Sequence, residues 1–329
     1  MSRPFFIVGC PRSGTTLLRN LLRSHPRLTV PSESHFVPGF YRAWGDPQDD
    51  AAARRLGARI LSLHWVRRWE LELAPADFDG CRTYADVVTR LYHAYAVRDG
   101  ATRWGDKTPA YAHEIPTLSQ LFPDAQFLHV VRDGRDVACS LLRTGLGPRH
   151  VYTAAHYWRA HVEAGRRHGA RLGPDRYRQV RYETLLGDLE TTLRDVCAFL
   201  GEPFDPRILV PSPLDWRTFP PTFGPKRAGH VSDTAIVANN AGKWRNDMPA
   251  DDVALFEAVA GRLLADLGYE TAGTRRIVGR AEALGWRLRD RALWLAYQLA
   301  RENKRLWVPT ELRLRWAALR ARAVTRSRP

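Results

Sequence analysis

Along the chain, short strand-like segments, the first of them an unbroken apolar run, alternate with stretches whose apolar residues recur every three to four positions. Phe5–Gly9 precedes Thr15–Ser24, Gln126–Val131 precedes Arg135–Thr144, and Arg178–Tyr182 precedes Leu189–Leu200. Unbroken runs of about 4–8 apolar residues mark strands buried on both faces, and the three-to-four spacing marks helices with one apolar side. The order therefore predicts an α/β fold, a parallel sheet flanked by helices. Between Asp46 and Asp99 the strand pattern is missing. Arg59–Glu70 and Tyr84–Arg98 carry helical spacing there, so the span reads as a mainly helical insertion, placed to cap a site on the sheet. Pro203–Ser232 is rich in Pro, Gly and Thr and reads as a long loop. A main domain is expected over 1–274, with 275–329 as a helical extension.

Composition changes this picture in two places. The chain has 329 residues, 44% of them apolar, enough for a substantial core, and no run long enough to span a bilayer. Its first apolar run begins at Phe5 and leaves no room for a secretion signal, so a cytoplasmic location is expected. Cys10, Cys81, Cys139 and Cys197 are scattered, which suits neither a zinc site nor a disulfide framework.

The net charge of +15 is unevenly spread. The last 55 residues hold fifteen of the 50 Lys and Arg but four of the 35 Asp and Glu, a net +11 against +4 for everything before. A nucleic-acid reading of the whole chain fails on that asymmetry, and no nucleic-acid motif accompanies it. In the extension Leu288, Ala292, Leu295 and Leu299 share one helical face, and Arg287, Arg291, Gln298 and Glu302 another, until Pro309 interrupts. Two readings stand side by side: helices packed on the domain, or peripheral contact of 275–329 with an anionic membrane. Docking to an acidic partner is a third.

The candidate chemistry begins at Gly9-Cys10-Pro11-Arg12-Ser13-Gly14-Thr15-Thr16, between the first strand and the first helix. The Gly-x-x-x-x-Gly spacing is that of a phosphate-binding loop, whose backbone N–H groups and helix N-terminus gather around an anion. Thr15 stands where a nucleoside triphosphatase has lysine, and the cation is inside the loop, at Arg12. At the end of the next long strand Arg132 is followed two helical turns later by Ser140, a pair able to grip a second phosphate, although Arg132 and Asp136 can equally form a local ion pair. Tyr182 closes a third strand and offers a ring to a nucleotide, or simply packs in the core. Lys107 is placed on a turn in Trp104–Pro109. Lys243 and Trp244 follow a glycine as a cation and an indole, or as the start of a helix with an anchoring tryptophan.

Together these residues resemble the sulfotransferases that use 3′-phosphoadenosine 5′-phosphosulfate, with bacterial and tyrosyl-protein-type members the most similar. The likeness covers about residues 4–250 and leaves the extension outside. It implies that Arg12, Ser13, Gly14, Thr15 and Thr16 hold the 5′-phosphosulfate, and that Arg132 and Ser140 hold the 3′-phosphate. It implies further nucleotide contacts from Tyr182, Lys243 and Trp244, no metal, and adenosine 3′,5′-bisphosphate as product. Glu33, in Val30–Phe36, is the candidate base, as a glutamate is in tyrosyl-protein-type relatives. His35 is its rival, since imidazole titrates near neutrality, and Glu33 can alternatively cap a helix starting near Phe36. Lys107 is implied as a lysine opposing charge on the transferred group.

The expected reaction moves a sulfuryl group to a hydroxyl of a small-molecule, sugar or lipid-linked acceptor. Trp65, Trp69, Tyr92 and Tyr95 are candidates for an apolar acceptor cleft, or for the core. The alternatives are a kinase or NTPase using the same loop, and a non-catalytic nucleotide-binding protein tethered by its basic tail.

Overall fold

The computed structural model describes residues 3–144, 147–212, 240–273 and 276–302. Five strands, β1 (Phe5–Gly9), β2 (Leu28–Thr29), β3 (Arg103–Lys107), β4 (Gln126–Val131) and β5 (Tyr177–Arg181), form one sheet in the order β2-β3-β1-β4-β5, every pair parallel. On one face lie α1 (Thr15–Arg23), α8 (Tyr182–Gly187) and α9 (Leu189–Leu200). The other face carries α2 (Val37–Trp44), α3 (Asp50–Leu61), α4 (Tyr84–Arg98) and α5 (Ile115–Leu121). It also carries α6 (Gly134–Thr144), α7 (Val151–Gly169), α10 (Trp244–Asp247) and α11 (Ala250–Asp266). The expected α/β architecture is present.

The unbroken apolar run of β1 follows from its place at the sheet centre. Phe5 and Ile7 pack with Leu18 and Leu22 of α1, while Phe6 and Val8 face Trp104 and Phe127 on the opposite side. The chain crosses from β1 to β2 and β3 on one side, then to β4 and β5 on the other. The loops after β1 and β4 therefore part at the carboxyl ends of the strands, where an open parallel sheet binds its ligand.

Two sequence expectations are corrected here. Lys107 does not sit on a turn but is the last residue of β3, buried like the whole strand. Gly105, which reads as a turn signal, is needed for the opposite purpose: a Cβ there would lie 2.5 Å from the Phe5 ring, so its absence lets β3 pair with β1. The helix expected over Arg59–Glu70 does not form. α3 stops at Leu61, and the chain bends so that Val66 and Trp69 enter the core separately, with a short 3₁₀ turn at Arg67–Trp69. Tertiary burial has overridden the local spacing. The insertion is thus α3 and α4 joined by irregular chain. Smaller shifts occur elsewhere: the third strand runs Tyr177–Arg181, and Tyr182 opens α8 rather than closing the strand.

The expected domain boundary at 274/275 lies outside the described residues, as do positions 213–232 of the Pro/Gly-rich loop and the extension from 303 on, including Pro309. The described part of the extension is α12 (Arg280–Glu302). It rests on α7 through Trp286, stacked on His150 at 4.6 Å, and through Asp290, which accepts from the Arg149 amide at 2.9 Å. Leu284, Leu288 and Leu295, on the side away from this contact, are about half exposed.

Candidate active site

The loop between β1 and α1 is built for an anion. Ser13 N–H closes a turn on the Cys10 carbonyl at 3.1 Å, and both Arg12 (φ 75°) and Gly14 (φ 95°) take the left-handed conformation. Alternation of this kind turns successive N–H groups toward one concavity. Gly14 admits nothing larger, because a Cβ would fall 2.2 Å from the Tyr182 ring. No side chain caps α1, so its first N–H groups stay available beside Thr15 and Thr16.

Two guanidinium groups meet over this loop. Arg12 donates from Nε to Ser140 Oγ at 3.0 Å. Arg132 donates to the Arg12 carbonyl at 3.3 Å and to the Asn240 carbonyl at 2.5 Å, with its guanidinium 4.5 Å from the centre of the Tyr182 ring. The Tyr182 hydroxyl in turn accepts from Asn240 Nδ2 at 2.8 Å. The local ion pair with Asp136 exists but is long, at 3.5 Å. Asp136 is engaged more closely by the Gly242 and Trp244 amides, each at 2.8 Å. Burial and the neighbouring Arg132 both lower the Arg12 pKa. Ser13 Oγ and Arg132 Nε are buried without a partner, so two donors await an acceptor. The loop and the Arg132–Ser140 pair are thus joined into one continuous cradle, with Arg12 bridging them. This donor set fits a ligand carrying two phosphate-like groups.

The structure brings Trp244 near this cradle through its amide, but its indole lies between Arg135 at 3.6 Å and Arg245 at 4.7 Å. Lys243, half-buried, stands at the start of α10. These contacts match the anchoring-tryptophan alternative.

The second half of the site is a chain of charges. Lys107 Nζ donates to Glu33 Oε1 at 2.6 Å and to Thr16 Oγ1 at 3.3 Å, and the other Glu33 oxygen is 2.9 Å from His35 Nε2. Glu33 does not cap a helix, since α2 begins after Phe36 with no side-chain cap. Burial raises the Glu33 carboxyl, but the Lys107 charge and the His35 hydrogen bond outweigh it and hold the group well below the usual carboxylate range. Burial lowers Lys107 against the pull of Glu33. Thr16 joins the two halves: it lies in the first turn of the helix at the anion loop and touches the lysine that binds the candidate base.

Of the four aromatic candidates for an acceptor cleft, Trp69, Tyr92 and Tyr95 are fully buried core. Trp65 is half-buried, edge-on to His35 at 6.2 Å. Arg19 went unnoticed in the sequence. It is buried on α1 and donates to the Val30 and Pro31 carbonyls at 3.0 and 2.9 Å, fixing the segment that carries Glu33. The one available signal is its position four residues after Thr15 and three before Leu22, inside the buried stripe of α1.

A family model described as the sulfotransferase family matches residues 4–206. The chain belongs to the sulfotransferase family. The matched stretch contains the loop, Glu33, Lys107, Arg132, Ser140 and Tyr182, and excludes Lys243 and Trp244. Among similar proteins are protein-tyrosine sulfotransferase A of Caenorhabditis elegans, 26% identical over 85% of this chain and 71% of that one, and nodulation protein NoeE of Sinorhizobium fredii, 26% identical over 86% and 71%. Among solved structures, the sulfotransferase domain from the Synechococcus PCC 7002 olefin synthase superposes with a TM-score of 0.56 at 28% identity, covering 79% of this chain and 95% of that domain.

Proposed function

We propose that this sulfotransferase takes its sulfuryl group from 3′-phosphoadenosine 5′-phosphosulfate and delivers it, without a metal ion, to a hydroxyl of a small-molecule, sugar or lipid-linked acceptor. The observation that carries this reading is the continuous cradle of Arg12, Arg132 and unpartnered donors, abutting the Lys107–Glu33–His35 chain. When bound, the donor supplies an activated sulfuryl group on a phosphate leaving group.

Arg12 and the loop N–H groups stabilise charge on the leaving phosphate oxygen, and Arg132 with Ser140 grips the 3′-phosphate. Tyr182 backs both the loop and Arg132. Lys107 neutralises the equatorial oxygens of the transferred group, which draws its charge away from Glu33. Freed of part of that pull, the Glu33 carboxylate becomes a stronger base and takes the acceptor proton at Oε1 or Oε2. His35, hydrogen-bonded to the same carboxylate, orients it and can relay the proton outward. In this reading the low resting pKa of Glu33 keeps the base ionised until the donor arrives.

Calorimetric titration with adenosine 3′,5′-bisphosphate tests the donor assignment directly. Tight binding that depends on the 3′-phosphate and not on magnesium is expected. Preference for ATP with magnesium would return the site to the kinase class.

Placement of the protein at a cytoplasmic membrane surface is a further part of this reading, supported by the face of α12 that carries Leu284, Leu288 and Leu295 beside Arg280 and Arg291. An exposed apolar strip flanked by arginine suits an anionic lipid surface. Co-sedimentation with phosphatidylglycerol vesicles, and not with phosphatidylcholine vesicles, is the expected result.

A further inference from the structure

Residues 30–36 carry both Glu33 and His35 through a stretch without regular structure, yet every second side chain is tied down. Ser32 Oγ accepts from Trp69 Nε1 at 3.1 Å. The Ser34 amide donates to Thr108 Oγ1 at 3.2 Å, and Ser34 Oγ lies 2.9 Å from the Tyr111 hydroxyl. Phe36 is fully buried, and the Tyr111 hydroxyl also accepts from the Val37 amide at 3.0 Å. With Ser32, Ser34 and Phe36 held inward, Glu33 and His35 are left facing outward, their side chains 34% and 46% exposed.

His35 confirms that the segment is held rather than relaxed. It takes φ 55°, a conformation that a non-glycine residue keeps only when its surroundings over-determine it. Trp69 holds Ser32, and the anchors of Ser34 and Val37 come from the short turn just after the strand that supplies Lys107. Lys107 points to Glu33, its neighbour Asp106 is fully buried and accepts from the Tyr92 hydroxyl, and Thr108 and Tyr111 follow. One continuous piece of chain, 107–111, thus both holds the Ser34–Val37 end of the base-bearing segment and pairs with the base.

We infer that Tyr111 is a positioning residue for sulfuryl transfer, fixing Glu33 against Lys107 through the Ser34 hydroxyl and the Val37 amide. The inference rests on Glu33 being the base. Tyr111 touches no reacting group; its hydroxyl acts on the Ser34 side chain, next to Glu33, and on the Val37 amide four residues on.

Tyr111→Phe keeps the packed ring and deletes only this hydroxyl. The expected result is a drop of about tenfold in kcat, the scale of a small misplacement of a catalytic group, with unchanged affinity for adenosine 3′,5′-bisphosphate. As Glu33 drifts from Lys107 its carboxyl rises, so the acid limb of the kcat profile moves to higher pH, a change that a purely structural role does not produce. Ser34→Ala removes the partner hydroxyl and serves as the second variant, expected to give the same pattern even where Tyr111→Phe folds poorly. An acid limb that stays in place in both variants overturns the inference, as does parallel loss of kcat and nucleotide affinity. Glu33→Gln separates the failures. If it abolishes turnover while Tyr111→Phe and Ser34→Ala change nothing, the positioning role alone falls; if it leaves kcat intact, the base assignment falls and takes this inference with it.

Discussion

The two halves of the site solve opposite electrostatic problems. In the cradle, Arg12 and Arg132 are crowded together, with Asp136 3.5 Å from Arg132 and with donors that have no acceptor. Around Glu33 every charge already has a partner, at 2.6 Å from Lys107 and 2.9 Å from His35. The first half is incomplete without an anion and gains from binding one. The second is internally neutralised and must be partly unlocked before it can accept a proton. Under the proposed reaction this is a division of labour: binding energy belongs to the arginine side, and turnover depends on rearranging the glutamate side.

Glu33→Gln tests that division most severely. It removes the proton acceptor and keeps the shape, so kcat should fall by about 10²–10⁴, the usual worth of a positioned base. Affinity for adenosine 3′,5′-bisphosphate should not change. Equal losses in both would erase the distinction between the halves. The converse substitution is Arg132→Ala, which strips a charge-assisted grip worth roughly 3 kcal/mol, or about 10²-fold in nucleotide affinity. Turnover at saturating donor should survive it.

Lys107→Met strikes the boundary between the halves. Without the ammonium only His35 still opposes the raising effect of burial, so the Glu33 carboxyl rises. A base works only above its pKa, so activity should now be lost at a higher pH as the solution is acidified, while the unaltered protein keeps Glu33 ionised below the usual carboxylate range. A kcat profile measured from pH 4 to 8 reads this shift. An acid limb that does not move would uncouple Lys107 from the base.

How much of this was legible in the sequence differs along the same dividing line. The cradle was readable because it is local: a loop of fixed spacing, a strand-end arginine and a serine two turns later each announce their geometry over a few residues. The alternation of apolar runs with helical spacing likewise gave the parallel sheet. The other half was readable only as isolated candidates. Glu33 and Lys107 are 74 residues apart and meet because β2, which leads into the Glu33 segment, lies beside β3, a strand whose Gly105 locally looks like a turn. The helix expected over Arg59–Glu70 failed for a related reason. Val66 and Trp69 are drawn down separately by a core, and by Ser32, that a local window does not contain.

The smallest expected effect is the one that tests the continuity of the cradle itself. Ser140 Oγ accepts from Arg12 Nε and, in the proposed complex, also donates to the 3′-phosphate. Ser140→Ala should cost about 1 kcal/mol, a few-fold in affinity, as for a single neutral hydrogen bond. Its dependence on the ligand is more telling than its size. If Ser140 grips the 3′-phosphate, adenosine 3′,5′-bisphosphate weakens and adenosine 5′-monophosphate, which lacks that group, does not. If Ser140 only holds Arg12 in place, both nucleotides weaken together, because Arg12 serves the 5′ end they share. Titrating the variant with the two nucleotides therefore decides whether Ser140 belongs to the 3′ end of a two-phosphate site or to the support of its 5′ end.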